Sequence, residues 1–331
     1  MPFRTTAQHS RGKAQGAPHE LFSRPWWPWA KRALTAAFFA LVLGLLFTQA
    51  RAIDWAEVGK AIRAYSAATL VAAAGLAAAS YAVYSTFDLI AQAQTRHALS
   101  RPRVVMVAFI SYAFNLNLGA LIGGAAFRYR LYSRFGLDGA TVTQIYGLSV
   151  LTNWLGYLLL GGLAFCFWPP ALAADWRVHD LGLRAIGIVL LLAVLAYLSA
   201  CALATRRTWH LFRVALRLPS LRLALAQLVL SSINWLLIAS VLDVLLQGKI
   251  AFARVLSALL LAAIAGVIVH IPAGLGVLEA VFLALLGTQM RQGELLAALL
   301  AYRAIYYLAP LALALVLYTV TELRARKHRS A

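Results

Sequence analysis

Apolar residues in this chain fall in long unbroken runs, not in alternating positions. Runs near 33–50, 67–94, 142–168, 182–204, 223–247 and 295–321 approach or exceed the roughly 20 residues that a helix needs to cross hydrocarbon. Two further runs are interrupted. One, 104–127, breaks around Asn115-Leu116-Asn117-Leu118-Gly119 and Gly123-Gly124. The other, 255–288, breaks at His270-Ile271-Pro272-Ala273-Gly274-Leu275-Gly276. Backbone in lipid must satisfy its own hydrogen bonds, so the runs predict helices. The lack of a period-2 pattern excludes a transmembrane β-barrel. The predicted fold class is therefore all-α, a polytopic transmembrane helix bundle.

Composition supports that reading. Of 331 residues, 62% are hydrophobic and 12% charged, against roughly 45–50% and about 25% in a soluble domain. The net charge of +19 would suggest nucleic acid in a soluble protein. Here the basic residues cluster between apolar runs, so they report topology and imply no nucleic-acid partner. If both interrupted runs crossed the membrane, Arg128, Arg130 and Arg134, and then Arg206, Arg207, Arg213, Arg217 and Arg222, would fall outside. If both are re-entrant hairpins, more than two thirds of the 30 Lys and Arg lie inside, as the positive-inside rule requires. The expectation is about six full spans plus two re-entrant helical hairpins, with both termini cytoplasmic.

This arrangement has an internal symmetry. Span 67–94, hairpin 104–127 and span 142–168 form one unit; span 223–247, hairpin 255–288 and span 295–321 form another of opposite orientation. Inverted repeats with matched broken helices are how transporters build a midplane site. Residues 1–32, polar and basic, read as a disordered cytoplasmic tail. Within them Trp26-Trp27-Pro28-Trp29 forms an interfacial anchor before an uncleaved first span. Residues 33–323 make the transmembrane domain and 324–331 a short basic tail. Segment 51–66, with Trp55, Val58, Ile62 and Tyr65 at helical spacing, reads as a surface amphipathic helix. Cys166 and Cys201 lie inside predicted spans and read as small packing residues.

Ionisable groups at membrane depth are functional candidates by default. Asp88 and Asp243 occupy matching places near the ends of corresponding spans, as proton or gating candidates or as solvated interface residues. His270 precedes the second break and reads as a gating candidate or a satisfied helix-end residue. Glu279 follows that break, and Arg303 lies well inside the last span. Their structural reading is an ion pair that holds a hairpin to a helix; their functional reading is substrate contact. Arg128 sits one turn beyond Gly123 and Gly124, where a guanidinium can hold a phosphate, while Arg130 reads as a cytoplasmic anchor. Asn115 and Asn153 line a cavity or cap broken helices. HExxH, GxSxG and P-loop motifs are absent from the sequence, as is plausible metal-ligand spacing. No enzyme activity, cofactor or metal is expected.

Several of these residues carry a resemblance. Ser111-Tyr112-Ala113-Phe114-Asn115, Gly123-Gly124 with Arg128, Thr152-Asn153-Trp154-Leu155-Gly156-Tyr157, Ile271-Pro272-Ala273-Gly274-Leu275-Gly276-Val277-Leu278-Glu279 and Tyr302-Arg303 resemble the lysylphosphatidylglycerol synthetase transmembrane-region family, notably its stand-alone bacterial members. The resemblance covers roughly residues 33–323. It implies an inner-membrane location and a phospholipid substrate, anionic or aminoacylated, moved between leaflets. It places Arg128, Glu279, Arg303, Pro272, Gly274 and Gly276 on family motif positions. In two-domain members a separate soluble domain makes the lipid; this chain carries no such domain after its last span, so a lysyl-transferase activity is not expected. Two other functions fit the same residues: a non-transporting membrane partner of a lipid-synthesis enzyme, and a small-solute transporter.

Overall fold

The computed structural model describes residues 62–169, 180–203, 208–211, 214–269 and 276–330, and before 62 only isolated helical positions. The chain divides into two units, Met1–Ala52 and Ile53–Ala331. In the first, the Arg51 guanidinium lies 4.3 Å from the Phe47 ring centre; most of the predicted span 33–50 lies outside the described residues. So do Trp55 and Val58 of the predicted surface helix, although Ile62 and Arg63 are helical.

The second unit is a helical bundle. Helix α1 (Ala67–Thr95) begins where Ser66 caps it, its Oγ accepting from Thr69 N at 3.2 Å, and ends at Arg96, which adopts a left-handed conformation. Helix α2 (Arg101–Leu118) carries Pro102 in its first turn, where no N–H is needed. Gly119, at φ 84° and ψ 169°, stops it. The chain then doubles back through a π-helical segment, Ala120–Ala126, into a short helix α3 (Phe127–Arg134). The reversal is tight: a Cβ on Gly123 would lie 2.1 Å from the Phe114 carbonyl oxygen, and the Phe114 and Phe127 rings stack at 3.9 Å. Gly123 is thus required by close backbone approach. Helix α4 (Gly139–Phe167) is capped by Asp138, and α5 is Asp180–Leu203.

A two-stranded antiparallel ribbon follows, β1 (Thr208–Leu211) with β2 (Val214–Arg217), pairing Thr208 with Arg217. It sits in the basic 206–222 stretch, which hydropathy alone shows as a loop. Then come α6 (Leu221–Leu245), α7 (Phe252–Val269), α8 (Val277–Leu286) and α9 (Gln292–Tyr302). A second π-helical segment, Arg303–Leu308, leads without a break into α10 (Ala309–Ser330), which runs through the stretch read as a tail.

Six described helices are long and apolar enough to cross a membrane: Ala67–Thr95, Gly139–Phe167, Leu181–Leu203, Leu221–Leu245, Phe252–Val269 and Gln292–Leu323. Five match predicted spans. The sixth, α7, is the first limb of the second interrupted segment, and its 18 residues give about 27 Å of helix.

Helices α1, α4 and α6 pack against one another at the centre of this unit. A Cβ on Gly156 of α4 would lie 2.4 Å from the Ser231 carbonyl carbon, so α4 and α6 cross in backbone contact. The distribution of side chains suits lipid. Leu181, Ile188, Val189, Leu192 and Leu195 of α5 face outward, whereas Ser80, Asp88, Ser111, Thr152, Gln227, Ser231 and Asn234 are buried.

Candidate functional site

One face of α1 carries Ser80, Tyr81, Tyr84, Ser85 and Asp88, spaced 0, 1, 4, 5 and 8 along the helix. That spacing brings all five to one stripe, and all five are buried. The stripe makes two polar contacts, one with α3 at the end of the first interrupted segment and one with α2, α6 and the last long helix.

The first is an ion pair. Arg128 of α3 donates from Nε to Asp88 Oδ2 and from Nη2 to Asp88 Oδ1, both at 3.1 Å. Nη2 also donates to Ser149 Oγ at 3.1 Å and Nη1 to the Gly124 carbonyl at 3.2 Å. Tyr132 OH donates to Asp88 Oδ2 at 2.8 Å. Arg128 is 1% exposed and Asp88 0%. The expectation that Asp88 is a solvated interface residue is therefore corrected. Its carboxylate neutralises the hairpin arginine, because a guanidinium withdrawn from water needs a counter-charge and hydrogen-bond acceptors. Arg128, read as facing a head group, is held inside the bundle in this state. A cleft of about 330 Å³ lined by Leu89, Gln92, Ala93 and Arg101 opens beside this stretch of α1.

The second is a hydroxyl cluster. Ser80 Oγ donates to Asn234 Oδ1 of α6 at 2.8 Å and lies 2.7 Å from Tyr306 OH. Tyr306 OH is 3.0 Å from Tyr112 OH. With the Ser80 proton committed to Asn234, the chain runs in one direction, from Tyr112 to Tyr306 to Ser80 to Asn234. Tyr81 OH donates to the Tyr306 carbonyl at 3.0 Å, and the Tyr84 and Tyr112 rings stack at 3.5 Å.

Tyr306 belongs to the second π-helical segment, which opens with Arg303. Arg303 donates from Nε and Nη2 to the two carboxylate oxygens of Glu279, at 2.5 and 2.8 Å. Glu279 lies in the first turn of α8, behind Gly276 at φ 80°, where a carboxylate complements the helix dipole. A bidentate pair thus fastens α8 to the last long helix, as another fastens α3 to α1. Each π-helical segment adjoins one of the two arginines. Such segments are rare and gather at functional places.

Other candidates fall elsewhere. Asn115 is half-buried, its side chain against Gly124. Asn153 contributes its carbonyl, which accepts from Ser231 Oγ and Trp235 Nε1 at the α4–α6 crossing. Asp243 is half-buried near the end of α6, its carbonyl accepting from Gly248 N; among the described residues it has no ion-pair partner like that of Asp88. Arg130, read as an anchor, pairs with Glu322 at 3.3 Å. His270, Pro272 and Gly274 lie outside the described residues. Sequence reasoning passed over Tyr132, Ser149, Ser80, Asn234, Tyr306 and Glu322. The stripe spacing on α1 was the available signal for Ser80.

Comparison with known proteins places the chain among membrane-protein relatives. Residues 33–314 match the family described as the lysylphosphatidylglycerol synthase TM region. The chain is 47% identical over 309 residues to the inner membrane protein YbhN of Escherichia coli (strain K12), covering 93% of this chain and 97% of that one. It is 32% identical over 288 residues to protein slr0712 of Synechocystis, covering 85% and 88%. It is 24% identical over 312 residues to a phosphatidylglycerol lysyltransferase of Staphylococcus haemolyticus; this takes in 87% of the chain but 34% of that enzyme.

Proposed function

The chain belongs to the lysylphosphatidylglycerol synthase transmembrane-region family, a multi-pass membrane protein, and from that premise we propose that it moves a phospholipid head group between the leaflets of a bacterial inner membrane. In this reading 104–127 and 255–288 are re-entrant hairpins of two inverted repeats, both termini are cytoplasmic, and the lipid tails stay in the bilayer. The relatedness to a phosphatidylglycerol lysyltransferase supports a phospholipid as cargo.

The observation that carries the proposal is the pair of arginine–carboxylate contacts, Arg128–Asp88 and Arg303–Glu279, each tying the returning limb of an interrupted segment to a neighbouring helix. Neither arginine can be bared in a low-dielectric interior without a large penalty. A phosphodiester presents two oxygens in the geometry of a carboxylate. It can take the guanidinium as the carboxylate leaves, so the contact exchanges without exposing a bare cation. The released carboxylate then needs a cation of its own, which an ammonium on the same head group supplies. The pairs therefore favour an anionic phosphate, and above all one that carries an amine, as in an aminoacylated lipid.

The test is lipid translocation in reconstituted vesicles with fluorescent phosphatidylglycerol and phosphatidylethanolamine, for wild type, Arg128→Ala and Glu279→Gln. Wild type should move probe between leaflets and both variants should lose most of that rate. Equal rates in all three and in protein-free vesicles would overturn the proposal.

A further inference from the structure

The helix that carries Arg303 has a second charged contact at its far end. Glu322 of α10 accepts from Arg134 Nη1 at 2.7 Å, from Arg130 Nε and Nη2 at 3.3 Å each, and from Tyr318 OH at 3.2 Å. Arg130 Nε also donates to Tyr318 OH at 2.5 Å. Arg130 and Arg134 belong to α3, the limb that carries Arg128. The Tyr318 ring packs edge-on against Phe127 and Phe114 at 5.3 and 6.3 Å, at the base of the same reversal. Between the two contacts the chain is helical without a break, from Arg303 through the π-helical turns into α10. The nineteen steps from Arg303 to Glu322 span about 28 Å of helix. Part-way along, the Tyr307 carbonyl accepts from Asn117 Nδ2 at 3.3 Å, just before the break at Gly119.

We propose that Glu322 is a positioning residue that couples the two interrupted segments through α10. At one end Arg303 holds α8 by Glu279; at the other Glu322 holds α3 by Arg130 and Arg134. Release of one limb pulls on a helix bonded to the other. Alternate opening of two gates needs such a link, since independent gates would open together part of the time and leak. The network joining Glu322 is partly exposed, at 17%, 19% and 27% for Glu322, Arg134 and Arg130. It can therefore break without the desolvation penalty of the buried pairs. The inference rests on the reading of the two segments as moving parts, but it predicts coupling whether or not lipid moves.

The experiment uses single-cysteine reporters in full-length protein reconstituted in vesicles, after Cys166→Ala and Cys201→Ala. Leu131→Cys reports on α3, and Ala301→Cys on the helix at the Arg303–Glu279 contact; both native positions are 0% exposed. N-ethylmaleimide labelling is followed with Glu322 intact, with Glu322→Gln and with Arg134→Gln. Coupling predicts about fivefold faster labelling at both reporters in either variant. Faster labelling at Leu131→Cys alone means that Glu322 acts locally and overturns the proposal, as does no change at either reporter. Glu322→Asp, which keeps the charge, should restore slow labelling at both. Failure of lipid transport with intact coupling would count against the transport reading alone.

Discussion

Removal of Asp88 strands Arg128 inside the bundle. The arginine is 1% exposed and gives two of its hydrogen bonds to that carboxylate, while Tyr132 gives a third. With Asp88→Ala the remaining acceptors are Ser149 Oγ and the Gly124 carbonyl, neither of them charged. Breaking a buried pair by deleting one partner costs about 3–5 kcal/mol, so Asp88→Ala should lower stability by that amount. Asp88→Asn keeps one acceptor oxygen and should cost less. The double variant Asp88→Leu/Arg128→Met replaces both charges with apolar groups of similar volume, which is often neutral or stabilising. It should recover most of the loss. Denaturant or thermal unfolding in detergent, followed by thiol-reactive dye at the buried Cys201, reads all three. A loss under about 1 kcal/mol for Asp88→Ala, or a double variant as unstable as the single, would refute the reasoning.

Tyr306→Phe removes the hydroxyl between Ser80 and Tyr112 and should cost about 1–3 kcal/mol for the groups left unpaired, seen as a lower unfolding midpoint. Gly156→Ala drives a methyl into the Ser231 backbone and hydroxyl; overpacking of about 1–3 kcal/mol should follow in the same assay, with Ser231→Ala giving only partial rescue because the clash with main chain remains. His97 lies between α1 and α2, where its Nδ1 accepts from Leu99 N at 3.3 Å, and burial lowers its pKa although Asp88 opposes this. The folded state thus favours neutral imidazole. The histidine should leave stability independent of pH above about 6.5 and lower it as pH drops below that, so the difference between the unfolding midpoints of wild type and His97→Gln should change with pH only in that acidic range.

Uninterrupted apolar runs made the long helices legible: 67–94 became Ala67–Thr95, and 223–247 became Leu221–Leu245. The first break was legible too, because Gly119 must adopt a conformation that other residues resist. The Glu279–Arg303 contact could be weighed in advance, since two opposite charges at membrane depth need each other. Asp88 misled because position near a helix end suggests water, whereas its burial depends on α3 folding back over it. The hydroxyl cluster joins residues 80, 112, 234 and 306 from four elements. No local pattern brings those together, although the stripe on α1 marked one side of it. The π-helical segments carry no sequence signal of their own.

The measurement that bears most directly on the central claim is the leaflet-to-leaflet rate in vesicles that contain equal amounts of wild type or Asp88→Leu/Arg128→Met. The double variant is expected to stay folded, so stability and transport separate. The account predicts probe movement well above that of protein-free vesicles for wild type and background movement for the double variant. Equal movement for both proteins would contradict the role given to the ion pair, and wild type no faster than protein-free vesicles would contradict lipid translocation itself.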